Sequence, residues 1–399
     1  MNYLTCRAVL KLLLCILLGV ITIFCQEEKD IETIMREERE KIKKIQDETL
    51  QYRQQVADEM KYYQEQISRE YEAVERRQRQ LLDDMKREIQ KKWEEFRYNS
   101  KEEVVDYDKD LNARGSVNFK EGVVEVEVIA DADDPKSKQK AEKRIKEKLK
   151  DLVQKKAEDQ KPLLENQLRT KSGKKVSASN VNNYSKEIVS RKHIESKKYK
   201  SRDGKTRVKY SVKVSMVPNH IEVRASRFKE EVLKQSKRFK IDPRIAFAVM
   251  HSESYFNPRA RSYVPAYGLM QLVPKSGARD AYIYIYKRDK LLRANYLYNP
   301  QNNIELGCAY LSKIRHVYFG NIKDDKKAYY CAICAYNTGP GNVAKALTGT
   351  KQLRKATATV NSHNTNWVYN RLLRNLPYSE TKKYLKNVTE RTKIYEGWM

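Results

Sequence analysis

The chain has 399 residues, of which 34% are charged and 40% hydrophobic, a composition typical of soluble domains and not of a membrane bundle. This length allows two domains with hydrophobic cores and a further extended element. The formal net charge of +28 predicts attraction to polyanions without indicating which class of polyanion is bound.

The N-terminus has the pattern of a secretory signal. Arg7 and Lys11 precede an apolar run at residues 12–25, and a charged segment begins directly after it. The run is short for a membrane-spanning helix, which needs about 20 residues, although a retained anchor remains an alternative. Cys25 is a candidate for lipid attachment, but Phe24 stands where bacterial lipoprotein signals normally have a small residue. We therefore expect export and a contact with an anionic envelope surface or a membrane anchor, and no nucleic-acid partner.

Residues 26–100 contain no glycine and no proline, and their apolar residues recur in steps of three, four and seven. This period is typical of a helix with one narrow apolar stripe, and 70 such residues would extend roughly 105 Å. The pattern predicts a long charged helix that serves as a spacer arm or for self-association. A helical hairpin and a partly disordered segment remain alternatives.

Residues 101–217 change character. Valines alternate with polar residues around residues 117–128, and the intervening Lys120-Glu121-Gly122 predicts a hairpin turn. A charged helix is expected at about residues 136–159, and residues 207–217 alternate like another strand. Residues 161–203 are polar and weakly periodic. The whole segment is predicted to be a small α+β domain with a long insertion or loop.

The pattern after Pro218 is helical nearly to the end of the chain. Asp242 and Pro243 form a good helix start, because aspartate caps a helix and proline fits its first turn. The helix that follows is apolar and contains Glu253. Burial would raise the pKa of this carboxyl group, as a general acid requires.

Further motifs follow in a fixed order. Glu253 lies in HSESYFNP, and GLMQ at residues 268–271, AYN at residues 335–337 and PYSETKKY at residues 377–384 come after it. This ordered set resembles the lytic transglycosylase family of the lysozyme-like superfamily. The segments MVPNH at 216–220 and VDYDKDLNARGSVNF at 105–119 resemble a membrane-bound branch of that family, in which an α+β domain precedes the catalytic domain. The implied architecture is α+β: a leader or anchor at 1–25, a long N-terminal helical arm at 26–100, a small α+β domain at 101–217 and an all-α lysozyme-like catalytic domain at 218–399.

The resemblance also implies the roles of the site residues, with Glu253 as the acid/base. Substrate contacts are implied for seven residues: Ser262, Gly268, Met270, Gln271, Tyr336, Asn337 and Tyr384. Structural roles for these seven residues remain open. The implied substrate is the peptidoglycan glycan strand, and the implied location is the periplasm in association with a membrane.

Ordinary glycosidases use two carboxyl groups, whereas these motifs supply one. This difference favours a reaction in which the N-acetyl group of the substrate assists and the muramoyl C6 hydroxyl attacks C1, with no cofactor and no metal. Cys331 and Cys334 have redox-motif spacing, but they are expected to be small buried residues on a helix. A hydrolytic muramidase on the same fold and a non-catalytic wall-binding scaffold are the alternatives.

Overall fold

The computed structural model describes residues 31–191, 194–262 and 265–398. The predicted leader and Cys25 therefore lie outside the described residues. The chain divides into two compact units, one ending at Leu82 and the other beginning at Asp83. Among the described residues, no helix is both long enough and apolar enough to cross a bilayer.

The long helix predicted near the N-terminus is confirmed as α1, Ile31–Lys92. The absence of helix breakers and pairs of opposite charge one turn apart, such as Arg69 with Glu65, favour this conformation. In the unit that ends at Leu82, the apolar stripe faces solvent, and Leu50 and Tyr63 are both more than half exposed.

The end of α1 belongs to the second unit and is buried there. Ile89 and Trp93 are 0% and 2% exposed, and they pack with Ile129 and Tyr199 of the sheet described next. The Trp93 indole donates a hydrogen bond to the Leu111 carbonyl at 2.8 Å. Residues 83–100, which the sequence pattern assigns to the arm, thus contribute to a hydrophobic core.

Within the described residues, five strands form an antiparallel sheet in the order β1-β2-β3-β5-β4. The strands are β1, Glu103–Tyr107, β2, Ala113–Asn118, β3, Val123–Asp131, β4, Glu195–Lys200, and β5, Thr206–Ser215. The predicted hairpin is confirmed between β2 and β3, where Gly122 has a φ of 67° and donates to the Asn118 carbonyl at 3.0 Å. Positive φ favours glycine because it has no Cβ.

One face of the sheet is covered by helix α2, Ser137–Gln154, and helix α3, Val181–Arg191, packs against α2. Val124, Val126 and Val128 are buried with Ile145 and Leu149 of α2. The segment 161–203, predicted to be an insertion or loop, contains α3 and the edge strand β4. The sequence pattern of this segment does not indicate β4, because the side chains of this edge strand mostly face solvent and only Tyr199 is buried.

The C-terminal part of the chain is helical in the described residues. Its α-helices are α4, His220–Ser226, α5, Lys229–Phe239, α6, Pro243–Ser254, α7, Arg279–Tyr286, α8, Ala294–Tyr298, α9, Pro300–Ser312, α10, Asp325–Thr338, α11, Pro340–Thr348, α12, Leu353–Ser362, α13, Thr365–Asn375 and α14, Ser379–Thr392. Short π turns occupy Pro274–Ala278 and Lys313–Tyr318, and a 3₁₀ turn occupies Lys393–Trp398. The predicted combination of an α+β domain with a helical domain is confirmed at this level.

Helix α6 crosses the helical core and carries the candidate catalytic residue. Its predicted start is confirmed, because the Asp242 side chain accepts a hydrogen bond from the Arg244 backbone N–H at 2.9 Å and Pro243 fills the first turn. The helix ends at Tyr255 and Phe256, whose φ angles are 50° and 59°. This left-handed exit turns the chain sharply directly after Glu253.

Candidate active site

Glu253 lies in the last turn of α6, and its side chain is 6% exposed. Burial raises the pKa of its carboxyl group above the ordinary value, because the charged form loses its water. The Lys101 ammonium, 3.5 Å from Glu253 Oε2, acts in the opposite direction. The site therefore holds a carboxyl group whose protonated form is favoured by burial, as a general acid requires.

Tyrosines and one further carboxylate also face Glu253. The Tyr384 hydroxyl of α14 is buried and lowers the pKa of Glu253, although no hydrogen bond of ordinary geometry reaches this hydroxyl from the described residues. Glu380 is exposed on the same helix and raises that pKa by repulsion. Tyr336 of α10 also interacts electrostatically with Glu253. The residue pair Glu253 and Tyr384, distant in sequence, is thus brought together.

His251 does not provide a second acid or base at neutral pH. It is 6% exposed, and burial lowers its pKa to about 3. Its Nδ1 lies 2.9 Å from the Tyr395 hydroxyl. The imidazole is therefore neutral and serves to attach the end of the chain to α6.

The GLMQ loop at residues 268–271 packs against the end of α6. Gly268 has a φ of 75°, and a Cβ at this position would lie 2.4 Å from the Leu297 carbonyl oxygen, so a glycine is required. The buried Asn303 side chain holds the loop, since its Oδ1 accepts from the Met270 N–H at 2.7 Å and its Nδ2 donates to the Tyr267 carbonyl at 2.9 Å. No functional role was predicted for Asn303.

Met270 and Gln271 are buried side chains in this structure. Met270 is 0% exposed and would contact any Cβ placed at Gly307. The Gln271 amide donates to the carbonyls of Ala260 and Gly268, at 3.1 and 2.9 Å. Both residues shape the loop, and their contact with glycan stays a prediction.

Tyr336 and Asn337 connect the loop and α14 to α10. The Tyr336 hydroxyl donates to the Met270 carbonyl at 2.8 Å, and Asn337 Oδ1 accepts from the Thr381 hydroxyl at 2.6 Å. Ser262 is partly exposed, and its hydroxyl accepts from the Ala266 N–H at 3.2 Å. The Tyr336 hydrogen bond therefore fixes the GLMQ loop to α10, and the Asn337 hydrogen bond fixes α14, which carries Tyr384, to the same helix.

No group of three or more potential metal ligands is present among the described residues. Cys308, Cys331 and Cys334 are free and buried, and burial raises the pKa of each thiol. Such thiols are poor nucleophiles and poor metal ligands.

Two residues at the site carry no motif and were missed by sequence analysis. Lys101 precedes β1 and reaches Glu253 across 152 positions of sequence. Arg224, 4% exposed, donates to the Tyr255 carbonyl at 3.0 Å and to Gln167 Oε1 at 2.5 Å. Both contacts join the α+β domain to the end of α6, and sequence periodicity within one element cannot indicate them.

Comparison with known proteins gives matches to both domains. The family model of the transglycosylase SLT domain matches residues 230–359, and that of the membrane-bound lytic murein transglycosylase C N-terminal domain matches residues 70–227. Membrane-bound lytic murein transglycosylase C of Cronobacter sakazakii is 36% identical over 196 residues, which cover 49% of this chain and 54% of the relative. The protein of the same name from Klebsiella pneumoniae subsp. pneumoniae is also 36% identical over that length. The chain thus matches about half the length of these relatives.

A solved structure of an inactive mutant of lytic transglycosylase Slt from Pseudomonas aeruginosa is 29% identical in sequence, with a TM-score of 0.31. The match covers 42% of this chain and 24% of that protein.

Proposed function

We propose that this chain is a peptidoglycan lytic transglycosylase. Residues 70–227 match the N-terminal domain of membrane-bound lytic murein transglycosylase C, and residues 230–359 match the transglycosylase SLT domain. The chain cleaves the β-1,4 bond between N-acetylmuramic acid and N-acetylglucosamine and leaves 1,6-anhydromuramic acid ends. The observation that carries this proposal is the single buried carboxyl group of Glu253 at the end of α6.

The reaction needs one group that acts first as acid and then as base. Glu253 gives its proton to the glycosidic oxygen, and the bond from that oxygen to muramoyl C1 breaks. The N-acetyl group of the substrate stabilises the positive charge that develops at C1. The muramoyl C6 hydroxyl then forms a bond to C1 and returns its proton to Glu253. Atoms balance without water, and the enzyme recovers its starting state.

Other carboxylates are poorly suited to a second catalytic role. Glu380 is exposed and influences Glu253 through its charge. Glu305 forms an ion pair with Arg238 at 2.6 Å and accepts from the Tyr286 hydroxyl at 3.0 Å. An inverting or retaining hydrolase would need a second carboxyl group roughly 5–9.5 Å from the first.

Substrate contacts are proposed for the residues around Glu253 that the family motifs indicate. Tyr384 faces the carboxyl group, and Tyr336 and Asn337 lie on the wall formed by α10. Ser262 is proposed to contact the N-acetyl group. Gly268, Met270 and Gln271 are proposed to form the groove, with the loop backbone available where the side chains are buried. The relatives are named as membrane-bound, which supports a membrane-associated location in the envelope, in the periplasm.

The products decide between this proposal and its alternatives. Purified cell wall digested with the full chain should release muropeptides that end in anhydromuramic acid, each one water lighter than the hydrolysed form. An intramolecular attacking group can reach effective molarities of roughly 10⁵–10⁸ M, which favours the C6 hydroxyl over water. Mass spectrometry before and after borohydride treatment measures the outcome, because anhydro ends resist reduction.

Reducible muramic acid ends in most products would identify a muramidase and contradict the proposed reaction. Binding to wall without any release of fragments would favour the wall-binding scaffold. The Glu253→Gln variant is the matched control, since it retains the size of the side chain and removes the titratable group.

A further inference from the structure

The segment just before β1 is held firmly on the sheet. The Arg97 guanidinium donates to Glu125 at 2.7 Å, to Glu127 at 3.1 Å and to the Ser116 hydroxyl at 2.8 Å, and it also pairs with Glu103. A partly buried arginine with several acidic partners fixes the backbone on both sides of it. The residues that follow Arg97 are thereby presented as a rigid extension of the α+β domain.

This extension lies against the helical domain beside the catalytic helix. The Arg261 backbone N–H donates to the Ser100 carbonyl at 3.4 Å, and its guanidinium donates to the Tyr98 hydroxyl at 2.9 Å. The Asn257 amide lies 3.5 Å from the Lys101 carbonyl. Residues 98–101 therefore follow the stretch of chain that leads from the end of α6 to Ser262.

Lys101 extends from this segment to the catalytic carboxyl group. Its ammonium lies 3.5 Å from Glu253 Oε2, and within the described parts of the chain it is the one cation within 4 Å of that carboxylate. The Lys101 side chain is 35% exposed, whereas that of Glu253 is 6% exposed. An ammonium at this distance from a buried carboxylate favours the ionised form.

The other groups that face Glu253 do not replace this charge. Tyr384 and Glu380 come from α14, and Tyr336 comes from α10. The tyrosines are neutral at physiological pH because burial raises the pKa of each hydroxyl, and Glu380 opposes the ionised form. Lys101 is thus the group that balances the buried negative charge.

We propose that Lys101 of the α+β domain is a positioning residue of the transglycosylase site, which holds the Glu253 side chain in place and pairs with its carboxylate after the proton has passed to the glycosidic oxygen, when Glu253 accepts the C6 proton. This inference rests on the proposed function. It makes the α+β domain a contributor to the chemistry, because the counter-ion of the catalytic acid comes from a different domain.

The arrangement has opposite effects on the two halves of the reaction. Proton donation to the glycosidic oxygen requires the neutral acid, which Lys101 disfavours. In the second half of the reaction, the Glu253 carboxylate, which Lys101 orients, accepts the proton of the C6 hydroxyl and becomes the neutral acid again.

The test is the pH profile of kcat/KM of the full chain on soluble glycan fragments. In Lys101→Met the pKa of Glu253 rises, so the acid stays protonated to higher pH and the alkaline limb of the profile shifts to higher pH. Lys101→Arg keeps the charge and should restore the wild-type limb. Lys197 of β4 forms an exposed ion pair with Glu94. Lys197→Met removes the same charge as Lys101→Met and should leave the alkaline limb of the profile unchanged.

An alkaline limb in Lys101→Met that coincides with that of wild type and of Lys197→Met overturns the inference. A loss of rate of equal size at every pH does so as well, since it indicates a merely structural contact. Lys101→Gln provides the same test should the methionine variant fail to fold. Failure of the proposed function is distinguishable, because the wild-type chain would then release no products with anhydromuramic acid ends, whatever Lys101 does.

Discussion

At the scale of single residues, helix α6 carries an acid in surroundings that disfavour its charge. Helix α6 is apolar along almost its whole length, and the other buried residues beside Glu253 offer it little polar compensation. Folding therefore stabilises the protonated form of this carboxyl group relative to the unfolded chain. An acid whose ionisation is disfavoured by folding lowers the stability of the fold at any pH above its unfolded pKa.

Replacement of this acid should reveal that cost. The pKa of Glu253 is raised in the folded state, so its contribution to stability is fully present below its unfolded pKa and is lost as pH rises through the folded pKa. Glu253→Gln cannot ionise, so we expect a Tm above that of wild type at pH 7 and a difference that shrinks as pH falls toward about 4.5, the unfolded pKa, and is absent below it. Wall cleavage should fall by about 10²–10⁴.

Thermal unfolding at several pH values, together with release of fragments from purified wall, measures both effects. A difference in Tm that is constant from pH 4 to pH 8 would indicate that ionisation of Glu253 does not affect stability. Turnover close to wild type would remove Glu253 from the mechanism.

Glu253 could be found from sequence because a carboxylate in an apolar helix is conspicuous and its neighbours resemble a family motif. Lys101 could not be found, because its role depends on a contact between two domains. Among 81 lysines and arginines, nothing local distinguishes it. The same limit applies to Arg224, whose neutral acceptors are gathered from three separate segments.

At the scale of elements, the N-terminal arm ends earlier in the structure, at Leu82, than the charged composition, which extends to residue 100. Charged residues dominate as far as residue 100, so the sequence pattern shows one uniform helix. Yet Ile89 and Trp93 are buried, Arg97 joins four partners on the sheet, and the N-terminal family match begins at residue 70.

Strand β4 was missed by sequence analysis because this edge strand lacks an alternation of apolar and polar residues. Strands β2, β3 and β5 were found because their buried faces impose one.

Two truncated proteins test this boundary. A protein that begins at Asp83 keeps Ile89, Trp93 and Arg97, so it should retain the Tm of the helical and α+β domains and cleave soluble glycan fragments. A protein that begins at Lys101 loses the buried tryptophan, and removal of one such side chain typically costs about 3–5 kcal/mol. We expect it to unfold at a clearly lower temperature.

Circular dichroism and fragment cleavage provide the measurements. An equal Tm of the two proteins would show that the packing of Trp93 contributes nothing to the stability of the fold. A well-folded Asp83 protein that fails to cleave fragments would show that cleavage requires residues 1–82. Sedimentation of the same protein beside the full chain also tests self-association, which should be lost with the exposed apolar stripe if that stripe is an interface.

At the scale of the whole molecule, the net charge of +28 acts over longer distances than any single contact. Such a charge attracts the protein to anionic polymers and lipid surfaces in general, but salt screens the attraction, with a Debye length of about 8 Å at physiological ionic strength. Apolar or lipid attachment responds differently, since salt does not weaken the burial of hydrocarbon. The two kinds of attachment can therefore be separated by ionic strength.

We propose that the apolar leader or a lipid at Cys25, in addition to charge, attaches this protein to a membrane. The full chain should then remain with isolated membranes after a wash in about 1 M salt, where the Debye length falls to about 3 Å. A matched protein that lacks residues 1–25 retains almost all of the positive charge, so it should bind the same membranes at low salt and be released by the wash. Immunoblots of the washed and released fractions measure both. Release of the full chain by salt alone would mean that its basic surface is the whole attachment, because buried hydrocarbon would have kept it in place.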